Sequence, residues 1–99
     1  MNLRRLAYER PKVKQDRQTI WTMKDETDIL ICEMSNSHII NCIQMLTKKI
    51  IQYERHKIDF FDDNSETYAI YHYKQEQCEH WIKLFEHELR YREQENIRI

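Results

Sequence analysis

Five histidines and three cysteines carry most of the chemical capacity of this 99-residue chain. His38 and Asn41 lie three residues apart, so on a helix they point to similar sides. Such a pair can work as an acid/base group with its orienting partner, or as a polar recognition pair. The plainer reading has both bond nearby backbone and lock a strand-to-helix corner, because buried polar groups need partners. At a helix start, His38 would also face the positive end of the dipole, which favours a neutral imidazole.

His72, Cys78, His80 and His87 suggest a metal centre only by composition. No Cys-x-x-Cys or His-x-x-x-His pair occurs, and Cys78 and His80 project to different sides of a helix. His80 and His87 are two turns apart, too far to share one zinc without a third element. A nucleophilic cysteine needs a lowered pKa and a neighbouring base. Cys42 and Cys78 instead sit on or beside apolar stripes, where a small hydrophobe belongs. Glycine is absent from the chain. Phosphate loops, dinucleotide fingerprints and nucleophile elbows all need glycine for close approach or positive φ, so those chemistries are disfavoured. The expectation is a non-enzymatic protein with no metal and no cofactor.

Binding features are more visible. The formal charge is −1, divided as +4 over residues 1–17 and −5 over the rest. Arg4, Arg5, Arg10, Lys12, Lys14 and Arg17 make a basic arm, with Tyr8 among them, able to meet phosphate backbones. Both helices expected below are mixed in sign and offer no dense basic reading face. Phe60 and Phe61 lie inside an acidic stretch of Asp59, Asp62, Asp63 and Glu66. They either anchor a partner with a basic rim or tuck between helices as core. Tyr68, Tyr71, Tyr73, Trp81 and Tyr91 offer more aromatic area than one buried stripe can hide. Tyr73 and Tyr91 are the candidates for exposed contacts.

The elements that position these residues follow from pattern. Residues 18–23 (QTIWTM) and 28–33 (DILICE) are β-favouring runs around a polar turn at Lys24–Thr27, which predicts a hairpin. Ile29 and Ile31 would share one face, Leu30 and Cys32 the other. Lys12–Lys14 could add a third strand at an edge. Ser35 is placed to cap a helix by accepting from the amide of Ser37 or His38, with Met34 and Ile39 as a hydrophobic staple. Ile39, Ile43, Leu46, Ile50 and Tyr53 then repeat at 4, 3, 4 and 3, a helical stripe over 36–57. Asp63 or Asn64 can cap a second helix over 64–95, with Asp63 and Glu66 in capping-box spacing. Its stripe is Tyr71, Gln75, Cys78, Ile82, Phe85 and Leu89, widened by Trp81 and Leu84.

A short connection predicts antiparallel packing of the two helices. The fold class expected is α+β: a hairpin of two or three strands on a helical pair, forming one domain over 18–99 behind the arm at 1–17. The second helix outruns the first by roughly 15 Å at the usual rise per residue. That overhang, from about Glu88, must be solvated, covered by the arm or docked on another chain, which favours a homodimer.

No apolar run reaches the ~20 residues that span a bilayer, and the start of the chain lacks the apolar block of a secretory signal. Three cysteines at irregular spacing fit reduced thiols in a cytosol.

Trp21-Thr22, Lys24-Asp25, Ile29-Leu30-Ile31, Met34, His38-Ile39 and Asn41 together resemble a pattern shared by small phage and prophage proteins. The likeness covers about a quarter of the chain. Those proteins usually carry glycine after the turn aspartate. Glu26 stands there here, so in place of a tight two-residue turn a longer loop using 24–28 is expected. The resemblance implies a virus-derived accessory protein in a bacterial cytosol and transfers no catalytic residues. The leading expectation is therefore a module that binds and inhibits or redirects a bacterial protein, as anti-CRISPR and other anti-defence proteins do. The alternative is a nucleic-acid-associated regulator that uses the basic arm.

Overall fold

In the computed structural model, residues 15–59 and 66–97 are described. The fold is α+β: an antiparallel two-stranded hairpin followed by two helices, the second longer. Strand β1 is Ile20–Thr22 and β2 is Asp28–Leu30, with Trp21 opposite Ile29. Helix α1 spans Asn36–Asp59 and α2 spans Glu66–Ile97. Cα proximity divides the chain into two compact units, Met1–Ile39 with Leu84–Ile99, and Ile40–Lys83. The edge strand considered for Lys12–Lys14 and the cap considered at Asp63 or Asn64 lie outside the described residues.

The hairpin turns through Lys24, Asp25 and Glu26. The Glu26 amide donates to Met23 O at 2.9 Å and the Met23 amide to Thr27 O at 2.8 Å. This is the three-residue loop in which a left-handed residue closes a bulge. Glu26 is that residue, at φ 69°. Asp25 Oδ1 accepts from the Thr27 amide at 3.1 Å. Hydrogen bonds from the Thr27 side chain and amide hold the Asp25 carboxyl below its ordinary range.

Both strands are shorter than the sequence pattern indicates, and one segment differs in kind. Ile31–Glu33 forms a 3₁₀ turn, not the end of a strand. Backbone pairing ends where the Ile31 amide donates to Thr19 O at 3.0 Å. The residues that would continue opposite Cys32 and Glu33 are Gln18 and Arg17, which form a turn and the end of a helical segment instead. With no strand to pair with, the β-prone run coils to redirect the chain toward α1.

The corner itself is as the sequence indicates. Ser35 Oγ accepts from the His38 amide at 3.2 Å, capping α1. Met34 and Ile39, the staple pair, are both buried. In the first unit the other buried apolar residues are Ile31, Leu84 and Phe85. Trp21 of β1 meets Phe85 of α2 edge-on, with ring centroids 5.2 Å apart.

In the second unit the helices run antiparallel. Tyr53 of α1 meets Tyr71 of α2 at 6.0 Å, and Lys57, one turn further along α1, meets Tyr68 and His72, toward the start of α2. Cys42, Leu46, Cys78 and Lys57 are the buried side chains described there. Leu46 lies on the expected stripe of α1 and Cys78 on that of α2. The apolar spacing thus located both helix faces correctly.

Candidate functional site

The densest polar arrangement lies in the first unit, around a carboxylate on the long helix. Glu88 is 2 % exposed. Arg17 Nε donates to its Oε1 at 2.8 Å, and Arg92 Nε donates to its Oε2 at 2.7 Å. Arg92 sits one turn beyond Glu88 on α2, so helix geometry sets the pair. Arg17 arrives from the residues before the hairpin and lays its guanidinium 4.0 Å from the centre of the Tyr91 ring. Its hydrogen bond to Glu88, reinforced by that charge, holds the guanidinium above its ordinary range.

Arg92 spends its remaining donors on the corner. Nη2 donates to Met34 O at 2.7 Å and Ile31 O at 3.2 Å, with Cys32 O at 3.4 Å. Nη1 donates to Asn36 Oδ1 at the start of α1. The 3₁₀ turn leaves carbonyls without ladder partners, and one planar fork collects them. The network encloses Glu88 between two guanidiniums and leaves Arg17 partly accessible. Its role is to fix the strand-to-helix corner.

The second unit holds another set of bonds around a buried cation. Lys57 Nζ donates to Gln75 Oε1 at 3.1 Å, lies 3.1 Å from His72 Nδ1 and is 3.5 Å from Glu54 Oε2. An ammonium can only donate, so the Lys57–His72 contact is a hydrogen bond in the tautomer that accepts at Nδ1 and carries its proton on Nε2. That nitrogen faces Glu76 Oε1 at 2.9 Å. Buried and set among Gln75, His72 and Glu54, Lys57 clamps the two helices together. His56 stacks on Tyr71 with centroids 5.0 Å apart.

The residues singled out from sequence fall in different places. His38 is half-buried and Asn41 exposed. The backbone of the corner is held by Arg92, and the asparagine in that network is Asn36, so the locking role given to His38 and Asn41 belongs to other residues. His72 serves Lys57, His80 is exposed beside Trp81, and His87 faces Asp16 at 3.9 Å. Among the described residues, no group of three His, Cys, Asp or Glu side chains is placed to hold a metal ion. Burial pushes the Cys42 and Cys78 thiols up, away from thiolate chemistry.

Tyr73 is exposed, as its position indicates. Tyr91 is half-buried under Arg17, which removes it from the open contact surface. Asp59 is exposed at the end of α1. Phe60, Phe61, Asp62 and Asp63 lie outside the described residues, as do Arg4, Arg5, Arg10, Lys12 and Lys14. Sequence reasoning missed Glu88, Arg92 and Lys57. Only the four-residue spacing of Glu88 and Arg92 hinted at a pair.

What remains open is apolar surface. On α2, Ile70 is 52 % and Tyr73 61 % exposed, one turn apart. On α1, Ile40, Ile51 and Ile58 are exposed at spacings of 11 and 7, which keeps them on one side of the helix. Among the described residues, no helix is long and apolar enough to cross a membrane. Comparison with protein-family models, with curated proteins and with solved structures finds no match.

Proposed function

We propose that this chain is a phage-derived, non-enzymatic protein that binds a bacterial protein in the host cytosol and inhibits or modulates it, in the manner of anti-CRISPR and other anti-defence proteins. Three things support the reading. The first is the resemblance at Trp21–Asn41. The second is that Glu88 and Lys57, the two buried charged side chains among the described residues, are both held by partners within the chain. The third carries most weight: Ile70 and Tyr73 stand open on adjacent turns of α2. A large aromatic beside an aliphatic side chain is the usual composition of an interface anchor.

The nucleic-acid alternative gains nothing from Arg17, because Glu88 and Tyr91 already hold its guanidinium.

The test is capture from bacterial lysate with tagged full-length protein, followed by light scattering on the isolated complex. A defined stoichiometric complex is expected for the native chain, and its loss for Ile70→Asp combined with Tyr73→Asp. A double variant that retains the complex, or a native chain that yields none, would refute the reading.

A further inference from the structure

In the second unit a buried cation ties the last turns of α1 to the first turns of α2. Lys57 donates to Gln75 Oε1 at 3.1 Å, lies 3.1 Å from His72 Nδ1 and stands 5.4 Å from the centre of the Tyr68 ring. Glu54, one turn back on α1, places a carboxylate at 3.5 Å. The contacts to Gln75, His72 and Tyr68 cross between the helices, whereas the one to Glu54 stays within α1.

His72 differs from the other partners because its capacity to accept depends on one proton. Imidazole is the side chain whose ordinary charge change falls between about pH 5 and 8. Neutral, with its proton on Nε2, the ring accepts from Lys57 at Nδ1 and donates to Glu76 Oε1 at 2.9 Å. Protonated, both ring nitrogens are donors. Nδ1–H then points at an ammonium that can itself only donate, so that hydrogen bond ends and two like charges face each other. The other edge of the ring gains at the same moment. Its Nε2–H and Glu76, four residues on in α2, become an ion pair. Tyr68, stacked on the ring with centroids 6.4 Å apart, also belongs to α2. The carboxylate that favours the imidazolium thus stands on its own helix, and the cation that opposes it comes from α1. Half of the His72 side chain is accessible, so water and protons reach the ring from outside.

We propose that His72 is a proton-operated latch between the two helices: neutral, it bonds across to Lys57; protonated, it releases Lys57 and pairs with Glu76 inside α2. The proton exchanges a bond between helices for one within a helix. Gln75 and Glu54 keep the ammonium partnered in both states, so the helices stay together. Because one contact is gained as the other is lost, the response is a local loosening of α1 around Lys57 and not global unfolding. The latch is independent of the surface assigned above to a host protein.

The test is NMR on the isotope-labelled full-length chain between about pH 8 and 5.5, a window above the ordinary titration of Asp and Glu. At the alkaline end the ring nitrogens of native His72 are expected to report a bare Nδ1 and a protonated Nε2. The titration itself is followed in a His56→Gln background, because His56 stacks on Tyr71 nearby and changes charge in the same range. On acidification the Lys57 side-chain signals and the amides of residues 54–59 are expected to move along the same curve as the His72 ring. Amide exchange there, corrected for the intrinsic effect of pH, is expected to quicken roughly fivefold relative to residues 42–46, the scale of one lost hydrogen bond. Adding His72→Gln keeps an acceptor for Lys57 and removes the proton, so those signals are expected to hold still. His56 and His72 are both exposed, and circular dichroism checks that the variants fold. A neutral ring protonated on Nδ1 in the native chain would overturn the proposal. So would α1 signals that stay put while His72 titrates, or that still move without it.

Discussion

Removing Arg92 should unfasten the corner between the hairpin and α1. The side chain supplies a charge-assisted bond to Glu88, bonds to carbonyls of Ile31, Cys32 and Met34, and a bond to Asn36. Arg92→Met keeps most of the aliphatic stem and deletes the fork. Two costs arise together. Glu88, with 1 % of its side chain accessible, loses one of its two cations. Breaking a buried pair by removing one partner costs about 3–5 kcal/mol. Carbonyls that lose their donor add about 1 kcal/mol or more wherever water cannot reach them.

Two features moderate the sum. Arg17 still neutralises Glu88, and the Arg92 side chain is 21 % accessible, so water replaces part of what is lost. The expected destabilisation is therefore about 3 kcal/mol, at the lower end of that range. For a domain of this size it corresponds to a fall in Tm of roughly 12–24 °C. Urea titration followed by tryptophan fluorescence and circular dichroism measures it, with Trp21 reporting the hairpin beside Phe85. Hydrogen exchange across residues 31–36 should accelerate more than exchange in the middle of α1. Arg92→Lys should recover only part of the loss, since a point charge cannot reach Glu88 and the corner carbonyls together. A destabilisation of Arg92→Met below about 1 kcal/mol would refute the reasoning, because it would put the network in the class of exposed ion pairs.

Two further expectations rest on single residues. Glu26→Gly removes a side chain from a left-handed position, where a non-glycine residue costs about 1–2 kcal/mol. The greater unfolded-state freedom of glycine offsets part of that, so a net gain of roughly 0.5 kcal/mol is expected; a loss on urea titration would contradict the turn geometry. Cys42 and Cys78 should react with iodoacetamide at neutral pH far more slowly than the half-buried Cys32, because burial raises their thiol pKa. A thiol raised in the folded state contributes stability below its unfolded pKa and loses it as pH climbs through the folded value. Stability should accordingly fall on the alkaline side of pH 9, less so for Cys42→Ala than for the native chain; equal labelling of all three cysteines would contradict this.

The corner at Met34–Ser35 was legible because its signals are local. A hydroxyl three residues from the amide it caps, an apolar pair bracketing the cap and a stripe at spacings of 3 and 4 all act within a few turns of chain. Ile31–Glu33 was not, since its residue types favour a strand. What decided its conformation was the helical and turn backbone at Arg17 and Gln18, which offers no edge to pair with. Glu26 lies between these cases. The resemblance marks its position as one where glycine is usual, and the positive φ found there gives the reason.

Glu88, Arg92 and Lys57 were illegible for a different reason. Charged residues on a helix in a chain that is one-third charged read as a solvated face, and the groups that bury Glu88 and engage Arg92 come from 56 to 71 residues away. Sequence period identifies which face of a helix is apolar, but not which polar residue at its margin will be enclosed. The same distinction bears on the overhang of α2. Helix lengths of 24 and 32 residues leave about 12 Å unmatched, close to the excess expected. A neighbouring chain was one candidate to cover it. In the structure Arg17 and the corner carbonyls occupy Glu88, Tyr91 and Arg92 within one chain, so the overhang gives no reason to invoke a partner.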